Sequence, residues 1–176
     1  QKVESLHLKK MTLDFCKFKR TVFSELKERG YFIEHCSEYV KRLVYQKRNV
    51  NKHDQVYIFG KQQQMEYSLL ANGVKLIITD SPCFLSYFYA KRHNEDSRMY
   101  KGIKMLLDVY EEDFPGMHLF LDRGDKAYNP NGRYQTEKQA WDIDNQMRRL
   151  LHETYPNAVD VNYSDKKQIL ETILNG

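Results

Sequence analysis

Val74-Lys75-Leu76-Ile77-Ile78-Thr79-Asp80-Ser81-Pro82 is a short apolar run that stops abruptly at an acidic residue and a proline. Four of the six residues before Asp80 are apolar. That predicts a strand buried on both faces, the pattern of a parallel sheet, rather than the alternation of a half-exposed one. In open α/β sheets ligands bind outside the carboxyl ends of the strands. Asp80, with Pro82 turning the chain behind it, therefore stands where a metal–phosphate group would lie. The same residue equally suits the cap of a following helix, and the local sequence accommodates both readings.

Outward from this strand, helix-like and strand-like segments alternate, as in a parallel α/β sheet. Upstream, the apolar spacing of Phe18, Val22, Phe23 and Leu26 predicts a helix over 18–29, closed by Gly30. A strand over 31–36, a helix over 38–48 with a basic outer side, and a long glutamine-rich helix over 53–71 closed by Asn72-Gly73 follow. Downstream come helices over 84–92 and 98–110, a strand over 117–121 after the Phe114-Pro115-Gly116 turn, and a loop. Thr136 and Gln139 then form a capping box for a helix over 136–153. A last strand over 158–162 precedes a helix for which Ser164 is the expected cap. Neither repeats nor low-complexity tracts interrupt the pattern.

Composition bounds the function. With 176 residues, 41% hydrophobic and 30% charged, the chain reads as one globular domain able to bury roughly two-thirds of its unfolded surface. No apolar run approaches the roughly 20 residues of a membrane span, and no signal peptide is visible. Cys16, Cys36 and Cys83 lack metal-type spacing and read as reduced thiols of a cytoplasmic protein. The net charge of +4 suits a nucleotide or another phosphate-bearing small molecule. It is weaker than the basic stripe of dedicated nucleic-acid binders, so nucleic acid is the less favoured partner.

Residues 123–133, directly after a strand end, place Arg123, Lys126 and Arg133 in one loop rich in Gly, Asn and Pro. Cations on such a lid can close over phosphates and neutralise charge that develops in phosphoryl transfer. The alternative is a solvated turn. His35, His53, His93, His118 and His152 are scattered without helical ligand spacing and read as surface or satisfied core residues. Cys83 could be a thiolate at a helix N-terminus, though without a matched histidine nearby. Tyr87, Phe88, Tyr89 and Tyr100 read as core, with one ring able to stack on a base. The polar helix through Gln55, Lys61 and Gln62 is a candidate substrate wall.

Five runs together carry a family resemblance: Glu25-Leu-Lys-Glu-Arg-Gly-Tyr31, Ser37-Glu-Tyr-Val-Lys-Arg-Leu-Val-Tyr45, Gln55 with Ile58-Phe-Gly-Lys-Gln62, Ile78-Thr-Asp-Ser-Pro82, and Tyr128-Asn-Pro-Asn-Gly-Arg-Tyr-Gln-Thr-Glu137. In this order the chain resembles small P-loop ATPases common in bacteriophages, similar to the ribosylnicotinamide-kinase and nucleoside/nucleotide-kinase branch. The resemblance spans about residues 22–165. It implies a three-layer α/β P-loop NTPase-like domain over residues 1–176, with a mostly parallel central sheet and a short lid at about 123–135. It also implies ATP- and Mg2+-dependent phosphoryl transfer to a nucleoside, nucleotide or related small acceptor. Asp80 would stand at the Walker B strand end as the metal ligand, and Glu38 would face the acceptor. Arg123, Lys126 and Arg133 would serve as lid cations binding the nucleotide, with Arg123 and Arg133 also stabilising the transferring phosphoryl.

The chain departs from that family where phosphate is held. A phosphate loop needs Gly-x-x-x-x-Gly-Lys-[Ser/Thr], because glycines let backbone N–H groups wrap the phosphates. Residues 1–29 contain no glycine, and residues 1–20 show no clear strand register. Lys9, Lys10, Lys17 and Lys19 supply charge but not a nest of backbone donors. Three explanations stand: a catalytically degenerate, nucleotide-sensing or partner-binding module, a fragment or mis-set start, or a reading-frame disturbance before about Thr21. One back-translation of Gln1–His7, read two bases on, encodes Glu-Ser-Gly-Lys-Ser-Thr.

Overall fold

The computed structural model describes residues 11–12, 16–51, 53–79, 81–93, 98–122, 136–162 and 164–175. In chain order these form β1 (Met11–Thr12), α1 (Cys16–Glu28), β2 (Ile33–Cys36), α2 (Tyr39–Tyr45), α3 (Asp54–Ala71) and β3 (Leu76–Thr79). They continue with α4 (Phe84–His93), α5 (Arg98–Asp113), β4 (Leu119–Asp122), α6 (Glu137–Thr154), β5 (Val159–Asn162) and α7 (Lys166–Asn175).

The expected three-layer P-loop NTPase-like domain on a mostly parallel central sheet is not what forms. The described residues are mostly helical, and their strands, of two to four residues, make two small parallel sheets, β1-β4-β5 and β2-β3. The sequence offers a physical reason: its first twenty residues hold no long apolar run from which to build a buried central strand. Among the described residues of that segment β1 is Met11–Thr12, and its ladder is with β4. No described ladder joins β3 to β1 or β4, so the described strands form two sheets and not one.

The decisive stretch nevertheless becomes the strand its apolar run predicts. All four residues of β3 are buried, and alternate side chains serve different clusters, as the period of two requires. Leu76 and Ile78 pack with Val22 and Leu26 of α1 and Ile169 and Ile173 of α7. Ile77 packs on the other side, with Cys36 and the α3 residues Met65 and Leu69. Phe120 of β4 joins the largest cluster, where Phe84, Leu107 and Met147 bring together α4, α5 and α6.

The helix ends follow from local chemistry. Gly30 and Gly73 adopt φ of 86° and 84°. Behind each, the paired bonds Tyr31 N to Leu26 O with Gly30 N to Lys27 O, and Val74 N to Leu69 O with Gly73 N to Leu70 O, complete Schellman closures. Thr136 and Gln139 form the expected box at the start of α6, 2.9 Å for Thr136 N to Gln139 Oε1 and 3.3 Å for the return bond. At α7 the cap is Asp165, whose Oδ1 accepts from Gln168 N at 2.9 Å, and not Ser164. Either residue type can cap, and the helix begins one residue too late for Ser164.

Candidate functional site

Parallel pairing in register sets Cys36 opposite Thr79, so β2 and β3 end together. Beyond Cys36 the chain turns through Ser37 to Glu38, which occupies the N-cap of α2 in extended backbone (φ −70°, ψ 119°) without a side-chain cap bond. Beyond Thr79 the described chain resumes at Ser81, whose N–H donates to Thr79 Oγ1 at 3.3 Å. Of the residues singled out from sequence, Glu38 is therefore placed at the carboxyl edge of a parallel strand pair. Asp80, Arg123, Lys126 and Arg133 lie outside the described residues.

Beneath that edge lies a polar network that sequence reasoning missed. Gln62 on α3 accepts the N–H of Tyr39 through Oε1 at 3.2 Å. Its Nε2 lies 3.3 Å from each of Cys36 Sγ, Thr79 Oγ1 and Glu66 Oε1. Glu66 in turn accepts from the Tyr110 hydroxyl at 3.0 Å. Gln62 and Glu66 are 2% and 1% exposed, so this is interior structure tying the start of α2 to the end of β3, and Gln62 is no substrate wall. The available signal was positional. Gln55, Ile58, Phe59, Gln62 and Glu66 recur at helical spacing on the buried face of α3, and a glutamate there demands partners.

Burial, followed by the charge of Glu66, pushes the Cys36 thiol up to about 12, with Gln62 only partly opposing. A thiol so held stays protonated near neutral pH and is a poor nucleophile. Cys83 is completely buried just before α4, within the cluster of Phe84 and Tyr87, which leaves no access for a nucleophilic role. Tyr87 and Phe88 are core residues. His118 stacks on Tyr155 with ring centroids 3.6 Å apart and lies 3.4 Å from Glu111, so its role is structural.

A second constellation joins α6 to β5. Arg148 Nη2 and Nε donate to Asp160 Oδ2 at 2.6 and 3.0 Å, and His152 Nε2 meets Asp160 Oδ1 at 2.9 Å. Arg148 Nη1 also lies 3.7 Å from Asp122, the last residue of β4. Burial raises the Asp160 carboxyl, but the bonds from His152 and Arg148 together outweigh it and hold the group below its ordinary value. This ion pairing fastens the strand edge at which the loop of Arg123 begins in sequence.

Among the described residues no three His, Cys, Asp or Glu side chains form a metal cage, and no described helix is long and apolar enough to cross a membrane. Comparison with family models, with curated proteins and with solved structures found no match.

Proposed function

We propose that this chain binds a nucleotide and carries out ATP- and magnesium-dependent phosphoryl transfer to a nucleoside, nucleotide or related small acceptor. The observation that supports this reading best is the register of Cys36 with Thr79. It brings Glu38 and the chain leaving β3 to one carboxyl edge, the side on which parallel strands present ligand-binding groups. Glu38 orients the acceptor hydroxyl or takes its proton. Magnesium takes oxygen donors and keeps several waters, needing one or two carboxylates besides the phosphates. Asp80, next in sequence after β3, suits that demand. Arg123 and Arg133 offer planar two-point contacts to phosphoryl oxygens, and Lys126 adds charge.

A specific observation favours a second reading, a nucleotide-sensing or partner-binding module without turnover. No glycine occurs before Gly30, whereas the phosphate loop of the P-loop families needs glycines that let backbone N–H groups wrap the phosphates. Affinity for magnesium–ATP is therefore expected in roughly the high-micromolar range or weaker.

Isothermal titration with magnesium–ATP, paired with a phosphate-release assay, tests both readings. Arg123→Ala with Arg133→Ala is expected to leave the melting temperature nearly unchanged while weakening nucleotide binding by about 1–3 kcal/mol for each arginine–phosphate hydrogen bond removed. Asp80→Asn is expected to abolish release. Equal nucleotide affinity in parent and double variant overturns the nucleotide site. Binding without release that persists after a Gly-Lys-Ser loop is inserted before α1 selects the second reading.

A further inference from the structure

The surface of α2 and the start of α3 has a character of its own. Residues 39–53 contain five lysines and arginines and no Asp or Glu, in a chain whose net charge is only +4. At about 100° per residue, Arg42 falls midway around α2 between Tyr39 and Tyr45. Tyr45 lies about 160° around α2 from buried Leu43 and Arg42 about 100° from it, while Tyr39, one turn before Leu43, lies about 40° from it at the edge of the covered side. Tyr45 is 77% exposed. On α3 the exposed ring of Tyr57 meets Tyr39 edge to face, 5.7 Å between centroids, and the two hydroxyls are hydrogen-bonded at 2.8 Å. Two cations, Arg48 and Lys61, stand 6.0 and 5.9 Å from the Tyr57 ring centre. Arg42 and Arg48 also lie close enough to Tyr39 to favour its ionised form, against the stronger opposing pull of its bond to Tyr57 and of burial.

Two features of this surface work against stability. Lys47 closes α2 in the left-handed region, φ 53°, with Lys47 N bonded to Val44 O and Arg48 N to Leu43 O. Glycine occupies that position in the closures of α1 and α3. A side chain there is strained by roughly 1–2 kcal/mol. The density of like charge along residues 39–53 is the other; just beyond it Asp54 accepts from Arg48 at 3.0 Å and from Asn51 N at 2.9 Å. A merely solvated helix end would carry glycine at 47, interspersed carboxylates and fewer outward rings. Exposed rings interleaved with cations complement a ligand that is both polyanionic and planar.

We propose that the outer face of α2 and the first two turns of α3 bind single-stranded nucleic acid, with Tyr45 and Tyr57 stacking on bases and Arg42, Arg48 and Lys61 holding the phosphate backbone. An acidic peptide would satisfy the cations and leave the rings without planar partners, and a free mononucleotide would engage one ring and one cation.

Fluorescence anisotropy of a labelled oligothymidylate, about twelve nucleotides long, titrated with the full chain over a range of salt concentrations, tests the assignment. Arg42→Ala with Arg48→Ala is expected to weaken binding about tenfold at low salt and to reduce the slope of log affinity against log salt by about 1.4. Tyr45→Ala with Tyr57→Ala is expected to weaken it about tenfold with the slope kept. Lys167→Glu, which changes net charge equally but lies on α7, should bind as the parent does. Tyr45→Ala alone, at so exposed a position, guards against misfolding as the cause and should still weaken binding several-fold. Any of four results overturns the proposal: no binding at about 50 mM salt; an equal loss in Lys167→Glu; no loss in the tyrosine variants; or displacement of the strand by an equal concentration of ATP or of polyglutamate. Displacement by ATP alone would leave the nucleotide reading above intact.

Discussion

The hydroxyl of Tyr110 on α5 donates a 3.0 Å hydrogen bond to Oε2 of Glu66 on α3, between side chains that are both almost sealed from solvent. A buried carboxylate is tolerable only when its oxygens are engaged, and the second oxygen of Glu66 faces Gln62 at 3.3 Å. Through Gln62 the network runs on to Thr79 and to the N–H of Tyr39. The placement of Glu38, one residue before Tyr39, thus depends on a chain of polar contacts that begins deep between α3 and α5. Burial, followed by the charge of Glu66, pushes the Tyr110 hydroxyl well above its ordinary value, so it stays protonated as the donor.

Tyr110→Phe removes this donor from a charged acceptor while keeping the ring that packs against Phe114. Urea denaturation is expected to show a loss of about 1.5–3 kcal/mol, the range for a hydrogen bond to a charged group. A loss below about 0.5 kcal/mol would show that Glu66 is held without this hydroxyl.

Lys47→Gly is expected to act in the opposite direction. Relieving a left-handed side chain at a helix closure gains roughly 0.5–1 kcal/mol, even after the entropy of the added glycine. The urea midpoint should rise with an unchanged denaturant slope. A lowered midpoint would mean that the lysine side chain makes a compensating contact in the folded protein.

Sequence patterning located most elements because their signals are local. The apolar run before Asp80, the glycines at 30 and 73 and the Thr136–Gln139 box each specify an element or its end within a few residues. What patterning could not supply was the joining of strands. Whether a first strand bridges β3 and β4 depends on pairing along both of its edges, which the spacing of apolar residues within one segment does not encode; among the described residues β1 pairs with β4. Glu38 was legible as a residue beyond a strand end, because the strand before it was. Glu66 and Asp160 were not legible, since their partners Tyr110 and Arg148 come from other elements and no local rule links them. Tyr57 meeting Tyr39 across two helices was invisible for the same reason.

Asp160 makes the fold sensitive to acid in a defined sense. Its carboxyl is held below the ordinary 3.8, although burial raises it, because the bonds from His152 and Arg148 favour the ionised form more strongly. A group whose folded pKa is depressed stabilises the fold fully above the unfolded value and loses that contribution as the pH falls through the folded one. The Asp160 contribution is therefore present at neutral pH and disappears below about pH 4. Arg148 and His152 are partly exposed, and solvent screening limits the loss in Asp160→Asn at neutral pH to about 1 kcal/mol. Urea midpoints of parent and variant, measured from neutral pH down to about pH 3, are expected to converge on acidification as the parent alone loses this pairing. A constant offset across the whole range would show that Asp160 stabilises the edge of β5 by packing rather than by its charge.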